Sequence, residues 1–138
     1  MDSRRVLIVD DEKNIRFSLS NALEKLEVPV ETADSGEEAL GKLTQADYDL
    51  MLLDLRMPGM DGLAVCDKLR YDPKTRDVPI IFLSAKGDDD TVALASVLDA
   101  YAFIRKPFKP QELLGEVRNC LNIFGGKSRG EDRKRKRT

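Results

Sequence analysis

Short apolar runs alternate with segments of helical periodicity along most of the chain. The runs have the length of β-strands, and an uninterrupted apolar run is typical of a strand covered on both faces. The predicted strands are Val6–Val9, Val28–Ala33, Tyr48–Leu53, Pro79–Leu83 and Tyr101–Ile104. Between them, apolar residues recur at the spacing of an amphipathic helix. This alternation predicts an α/β protein.

The predicted helices follow the strands one by one. They cover Ile15–Leu26, Glu37–Thr44, Leu63–Arg70, Thr91–Leu98 and Leu113–Leu121. Ser35 is a candidate N-cap of the second helix. Five strands alternating with five helices predict a single-domain, doubly wound (βα)5 sandwich with a parallel sheet. With the flavodoxin-like strand order 2-1-3-4-5, ligands bind beyond the carboxyl ends of strands one and three.

Acidic residues stand at those two strand ends. Asp10 and Asp11 follow the first predicted strand, and Asp54 follows the third. Crowded carboxylates raise one another's pKa unless a cation lies among them. Oxygen ligands of this kind suit Mg²⁺, which takes one or two carboxylates and leaves room for phosphate oxygens. Because Ser84 and Lys106 fall on the same rim, this edge is predicted to bind a metal and a phosphoryl group.

Composition narrows the possible chemistry. The chain has 138 residues, no His and two Cys. Without histidine, His-based acid–base catalysis, a His-ligated zinc site and a phosphohistidine carrier are excluded. Cys66 and Cys120 lie in predicted helices without metal-ligand spacing, so they are interpreted as buried free thiols. No apolar stretch approaches the roughly 20 residues of a membrane span and no signal peptide is recognisable, so a cytoplasmic protein is expected.

Charge is unevenly distributed along the chain. Residues 127–138 contain 7 basic and 2 acidic side chains, which leaves 16 of the 23 basic and 23 of the 25 acidic residues in residues 1–126. A boundary near Gly125-Gly126 predicts a folded domain at 1–124 and a basic, disordered tail or linker at 125–138. The tail is interpreted as a solubilising end or linker, as a docking segment for acidic partners or nucleic acid, or as an expression-derived extension; the first is favoured.

Four motifs resemble the response-regulator receiver domain of two-component signalling. They are VDDE at 9–12, LDLRMPGMDG at 53–62, LSA at 83–85 and KPF at 106–108. Each is weak by itself, but all four occur in order at the expected strand ends. The resemblance runs from about Arg5 to Leu121, which is nearly all of the predicted domain.

This resemblance implies roles for the acidic pocket. Asp54 would be the phosphoacceptor and would receive a phosphoryl group from a phosphohistidine of a sensor histidine kinase or a histidine phosphotransfer protein. Asp11 and Asp54, with the backbone carbonyl of Arg56, would bind Mg²⁺ directly, or Mn²⁺ in its place. Asp10 would act mainly through water. Arg56 and Lys86 flank the pocket and would tune the rates of phosphorylation and hydrolysis.

The resemblance also implies phosphoryl-binding and switch residues. Lys106 would bind phosphoryl oxygens, and Ser84 would hydrogen-bond another. The peptide bond between Lys106 and Pro107 is often cis in this family. Phe103 stands at a position that is usually aromatic and changes rotamer on activation, although a strand position of this kind also suits a static core aromatic.

The implied function is that of a signalling module and not of an enzyme, since it would catalyse only its own phosphotransfer and autodephosphorylation. Phosphorylation would change the surface of the fourth helix, fifth strand and fifth helix. That surface would contact a downstream target or output domain, or form a phosphorylation-dependent homodimer; no membrane partner is expected. A stand-alone regulator is slightly favoured over part of a longer one.

Two positions depart from the family pattern. Residues 99–102 lack the glycine usually found shortly before the switch position, which predicts a changed turn after the fourth helix. Phe103 lacks a tyrosine hydroxyl, so a switch there would be read by packing. Neither departure touches the acidic pocket.

Two other functions are less favoured. A receiver fold used as a phosphorylation-independent interaction module predicts a degraded pocket, whereas this pocket is complete. An aspartate-nucleophile phosphatase needs an Asp-x-Asp motif after the first strand and a cap insertion. Asp10 and Asp11 are adjacent, and the chain leaves no room for a cap.

Overall fold

The computed structural model describes residues 4–123. The strands are β1 (Val6–Val9), β2 (Val30–Ala33), β3 (Leu50–Asp54), β4 (Ile80–Ser84) and β5 (Ala102–Arg105). The helices are α1 (Lys13–Leu23, extended by a 3₁₀ turn at Glu24–Leu26), α2 (Gly36–Gln45), α3 (Gly62–Tyr71), α4 (Asp89–Val97) and α5 (Pro110–Ile123). The predicted domain boundary and the basic tail lie outside the described residues.

The five strands form one parallel sheet of order β2-β1-β3-β4-β5. This confirms the predicted flavodoxin-like, doubly wound (βα)5 fold. Strands β1, β3 and β4 are buried at every position, as expected of parallel strands that helices cover on both faces. In residues 4–123, no helix combines the length and the apolarity needed to cross a membrane.

Helices pack on both faces of the sheet and make two hydrophobic layers. One layer joins alternate sheet residues such as Met51 to buried side chains of α2, α3 and α4. The other joins the intervening residues, such as Leu52, to α1 and α5. Cys66 lies in the first layer and Cys120 in the second, and both are buried thiols outside any disulfide. This confirms the interpretation of the cysteines as small core residues.

Most element boundaries differ from the prediction by one to three residues, and two of these differences have a clear physical reason. Strand β2 begins at Val30 and not at Val28, because the intervening Pro29 has no N–H to donate to a sheet ladder. The Pro29 carbonyl still accepts a hydrogen bond from the Val6 N–H at 3.0 Å. Helix α4 begins at Asp89, two residues before the predicted start, and negative charge is favourable in a first helical turn.

The start of α3 is built to approach the end of β3 closely. Asp61 caps the helix by accepting a hydrogen bond from the Ala64 N–H at 2.9 Å. A Cβ added to Gly62 would lie 2.3 Å from the Asp54 carbonyl oxygen, well inside van der Waals contact. Only glycine therefore lets α3 pack directly behind Asp54. Ser35 caps α2 in the predicted way, by accepting from the Glu38 N–H at 3.1 Å.

The turn between α4 and β5 forms without glycine. Asp99 takes a left-handed conformation with φ of 68°, which costs energy for any residue with a Cβ but less for Asp and Asn than for most. The guanidinium of Arg70 in α3 donates to the carbonyls of Leu98 at 3.0 Å and Asp99 at 3.1 Å. These bonds hold the turn and tie α3 to the end of α4.

Candidate functional site

The acidic residues predicted from the sequence meet at the carboxyl edge of the sheet. Val9 of β1 pairs in parallel with Leu53 of β3, so the residues that follow them lie side by side. Asp10, Asp11 and Asp54 each offer one carboxylate oxygen, and these oxygens lie within 4.8 Å of one another. Asp10 is fully buried, Asp54 is 5% exposed, and Asp11 is exposed to solvent.

Lys106 brings a cation into this cluster from the loop after β5. Its Nζ lies 2.9 Å from Asp10 Oδ2 and 3.2 Å from Asp54 Oδ1. Its backbone N–H donates to the carbonyl of Ser84 at 2.6 Å, which anchors the loop to the end of β4. The peptide bond from Lys106 to Pro107 is cis.

Backbone contacts also fix the first carboxylate of the cluster. Asp10 Oδ1 accepts a hydrogen bond from the Glu12 N–H at 2.9 Å. The Arg16 guanidinium in α1 donates to the Asp10 carbonyl at 2.7 Å. Asp10 is therefore held at both its side chain and its backbone, so its charge cannot turn away from Asp54.

The charges in this cluster do not balance. Burial, and then the negative charge of Asp10, raises the pKa of Asp54 from 3.8 to about 6, although Lys106 and the Arg56 N–H oppose the rise. Burial lowers the pKa of Lys106, but the hydrogen bond and charge of Asp10, followed by those of Asp54, more than reverse this and raise it. The lysine therefore stays an ammonium ion, and excess negative charge remains around it.

The oxygen atoms suit a divalent cation. Three carboxylates converge, one of them is open to solvent, and their excess charge favours a cation among them. Arg56, whose backbone carbonyl is a predicted ligand, directs its N–H toward Asp54 Oδ1 at 3.4 Å. Its backbone is thus placed beside the acidic cluster. An all-oxygen set of this kind fits Mg²⁺ or Mn²⁺.

The other predicted residues lie around the rim. Ser84 ends β4 and is nearly buried. Phe103 in β5 is half-buried and stacks on Phe82, with ring centroids 5.8 Å apart and an angle of 18° between the planes. This packing is compatible with both interpretations of Phe103, as a switch and as a static core residue. Lys86 is exposed.

One contact was not predicted from the sequence. Asp88, just before α4, is only 2% exposed and pairs with the guanidinium of Arg56. Burial raises the pKa of Asp88, but the Ala85 N–H and Arg56 outweigh it and hold that pKa below 3.8. In the sequence, Asp88 is the first of three consecutive aspartates, and no local signal separates it from its exposed neighbours. Only the fold brings it to Arg56.

Comparison with known proteins agrees with this geometry. The family model "Response regulator receiver domain" matches residues 6–118. The chain is 40% identical over 117 residues to the transcriptional regulatory protein ResD of Bacillus subtilis, covering 85% of this chain and 48% of ResD. It is 35% identical over 125 residues to the phosphate regulon regulator PhoB of Pseudomonas aeruginosa, covering 91% and 55%. The chain thus spans about half the length of these curated relatives.

Solved structures show the same fold. A putative response regulator from Chloroflexus aurantiacus is 35% identical, with a TM-score of 0.82 over 88% of this chain and 99% of the other. The chemotaxis response regulator CheY4 of Vibrio cholerae is 30% identical, with a TM-score of 0.80 over 86% and 99%. Receiver domains bind Mg²⁺ at an acidic pocket and are phosphorylated by histidine kinases. The chain belongs to the response regulator receiver domain family, the phosphoacceptor domains of two-component signalling.

Proposed function

We propose that Asp54 is the phosphoacceptor of this domain. The observation that carries the proposal is the position of its carboxylate, which is buried at the end of β3, 3.2 Å from the Lys106 ammonium. A pKa of about 6 leaves it ionised near pH 7, as a nucleophile must be. Asp10 also contacts Lys106, but it is fully buried and its carboxylate is tied to the Glu12 N–H.

The proposed reaction moves a phosphoryl group between two proteins. An oxygen of Asp54 attacks the phosphorus of a phosphohistidine; the new O–P bond forms as the N–P bond breaks, and the imidazole leaves with the bonding electron pair and takes a proton from water. Transfer of this kind needs positioning and charge stabilisation more than covalent help from the protein. Lys106 supplies fixed positive charge to the phosphoryl oxygens. The chain has no histidine, so the donor is another molecule.

A divalent cation is part of this proposal. Asp10, Asp11 and Asp54, with the backbone carbonyl of Arg56, would hold Mg²⁺ or Mn²⁺, with Asp10 acting mainly through water. When bound, the cation neutralises charge on the phosphoryl oxygens and on the attacking carboxylate. The chain's own residues form such a site, because the carboxylates of Asp10, Asp11 and Asp54 converge there and the Lys106 ammonium lies 3.2 Å from Asp54 Oδ1.

Signalling would follow from a change at the rim. We propose that the Ser84 hydroxyl bonds a phosphoryl oxygen and that Phe103 moves inward in response. Lys86 and Arg56 would tune the rates. The change would reach the surface of α4, β5 and α5, which would contact a downstream protein or output domain, or a second copy of the chain. The phosphodonor would be a sensor histidine kinase or a histidine phosphotransfer protein.

Acetyl phosphate with Mg²⁺ tests the proposal directly. Intact-mass spectrometry of the full chain should show one phosphoryl adduct on the wild type and none on Asp54→Asn. Asp49→Asn, at the opposite edge of the sheet, is the matched control and should accept the adduct at the wild-type rate. An adduct that survives in Asp54→Asn would move the acceptor elsewhere. No adduct on the wild type, together with no response to beryllofluoride, would instead favour the phosphorylation-independent interaction module.

A further inference from the structure

The loop between β4 and α4 holds a buried carboxylate, that of Asp88, which has no role in the proposed phosphotransfer. Asp88 Oδ2 accepts a hydrogen bond from the Ala85 N–H at 2.7 Å. Its Oδ1 accepts a charge-assisted hydrogen bond from Nε of Arg56. One side chain thus joins the loop after β4 to the loop after β3, across 32 positions of sequence.

Both of its donors lie next to the phosphoacceptor. Arg56 is two residues after Asp54 and points its own N–H at Asp54 Oδ1, 3.4 Å away. Ala85 follows Ser84 at the end of β4, and the Leu55 N–H donates to the carbonyl of Leu83 at 3.1 Å, so the two strand ends are directly bonded. Asp88 therefore occupies hydrogen-bond donors at the rim where a phosphoryl group on Asp54 would seek them.

The two partners differ in their freedom to move. Asp88 is 2% exposed and lies directly before the first residue of α4, whereas the side chain of Arg56 is 67% exposed. A buried carboxylate is costly to turn toward solvent without its partners. The exposed side chain of Arg56 is free to reorient, and guanidinium groups bind phosphate oxygens through two parallel hydrogen bonds. Loss of Arg56 leaves the buried charge of Asp88 less compensated, so Asp88 and a phosphoryl group would compete for the same cation.

We propose that Asp88 is a positioning residue that competes with the phosphoryl group for Arg56. In the unphosphorylated domain, Asp88 holds the guanidinium against the β4–α4 loop. A phosphoryl group on Asp54 brings a charge of about −1.5 to −2 and three acceptor oxygens to the same place. It draws Arg56 from Asp88, which loosens the tie between the two loops at the start of α4. The inference rests on the proposed phosphorylation of Asp54.

Beryllofluoride with Mg²⁺, as a mimic of the phosphoryl group, measures this competition in the full chain. Asp88→Asn keeps the shape and the acceptor for the Ala85 N–H but removes the charge that holds Arg56. Its dissociation constant for beryllofluoride, from titration calorimetry, should be about three- to tenfold lower than that of the wild type, because charge-assisted bonds are roughly twice as strong as neutral ones. The phosphoryl lifetime should lengthen in parallel.

Two further variants separate this role from a general charge effect. Asp90→Asn removes the same charge from an exposed position in the first turn of α4 and should leave the constant within about twofold, because exposed charges are screened. Arg56→Gln should weaken binding, and adding Asp88→Asn to it should then change nothing. Arg56→Gln replaces an exposed side chain and keeps an amide N–H that can donate to Asp88, so this variant should fold even if Asp88→Asn does not. Unchanged binding in Arg56→Gln would overturn the proposal.

The remaining outcomes are also decisive. An Asp88→Asn variant that binds no better than Asp90→Asn would overturn the competition, as would an effect of Asp88→Asn that persists undiminished without Arg56. In both cases the wild type would still bind beryllofluoride, so the proposed function would stand. If the wild type binds no beryllofluoride, the proposed function is contradicted, and so is this inference.

Discussion

At the amino edge of the sheet, the carboxylate of Glu31 lies 2.9 Å from Arg5 and 3.8 Å from Lys42. At the carboxyl edge, by contrast, the single ammonium of Lys106 contacts two buried carboxylates, that of Asp54 and that of its neighbour at the end of β1. The Glu31 carboxylate thus has two cationic partners, whereas the Lys106 ammonium is shared by two carboxylates. The fold accommodates both arrangements of charge, but they have different consequences for stability and function.

At the amino edge, the charged and polar side chains contact one another. The Tyr48 hydroxyl donates to Glu31 at 2.8 Å, and the Arg5 guanidinium lies 5.5 Å from the centre of the Tyr48 ring. Burial, followed by the hydrogen bond to Glu31, raises the pKa of Tyr48 to about 12. At the carboxyl edge, burial and the charge of Asp10 instead raise the pKa of Asp54 to about 6, close to neutral pH. One edge therefore stabilises the fold, while the other keeps negative charge that attracts a cation beside the proposed phosphoacceptor.

Removing the ammonium group of Lys106 should have the largest effect on the rate of phosphorylation. Lys106→Met should slow phosphorylation by acetyl phosphate by about 100-fold or more, because loss of one preorganised charge in a transition state costs about that much. Lys42→Met, at the amino edge, should leave the rate unchanged. Intact-mass time courses on both variants, with circular dichroism to show that they fold, make the comparison. Rates for Lys106→Met within about threefold of the wild type would show that the ammonium is not needed.

Mg²⁺ should stabilise the domain through the carboxyl edge alone. At about 100 times its dissociation constant, it should raise the free energy of unfolding by about 2.7 kcal/mol. The gain should persist in Glu31→Gln and shrink strongly in Asp54→Asn, since only the second change removes a ligand. Urea unfolding with and without Mg²⁺ measures it. Equal gains in all three proteins would place the cation somewhere else.

Neutralising one acid at each edge should change stability in opposite directions. The raised pKa of Asp54, about 6 against 3.8, means that the folded state binds this proton more tightly than the unfolded state. Its ionisation therefore destabilises the fold above pH 6, and this cost disappears as the pH falls toward 4. Asp54→Asn should accordingly raise the free energy of unfolding by about 2 kcal/mol at pH 7 and by little at pH 4.

Glu31→Gln should instead lower the free energy of unfolding by about 0.5 kcal/mol at pH 7, because its ion pairs are partly exposed and screened. Denaturant titrations from pH 4 to 7 measure the change in the free energy of unfolding for both Asp54→Asn and Glu31→Gln. A destabilised Asp54→Asn variant at pH 7 would mean that the carboxyl edge is balanced after all.

A small change at the amino edge should lower stability slightly without changing the rate of phosphorylation. Tyr48→Phe removes the hydroxyl that bonds Glu31 and should lower the free energy of unfolding by about 1 kcal/mol. The phosphorylation rate should stay within about twofold of the wild type, because this edge lies at the far end of the strands from Asp54. A larger change in rate, measured by the same mass-spectrometric time course, would show that the two edges are coupled.

Much of the carboxyl edge could be predicted because strand ends are visible in sequence. Asp10, Asp11 and Asp54 follow apolar runs directly, and parallel strands must bring such ends together. Two features could not be predicted because they depend on side chains meeting across the fold. The Arg56–Asp88 pair spans two loops, and the Arg70 guanidinium supports a turn that the missing glycine was expected to change.

The pKa of Asp54, followed by carbon-13 NMR of its side-chain carboxyl group, tests most directly whether the carboxyl edge holds uncompensated negative charge. Without divalent cations the resonance should titrate near pH 6, and with saturating Mg²⁺ the midpoint should fall well below that value, because a bound cation favours the carboxylate. Glu31→Gln should leave both midpoints unchanged. A midpoint near 3.8 without Mg²⁺, or one that Mg²⁺ does not move, would contradict the claim that this edge holds uncompensated charge for a cation.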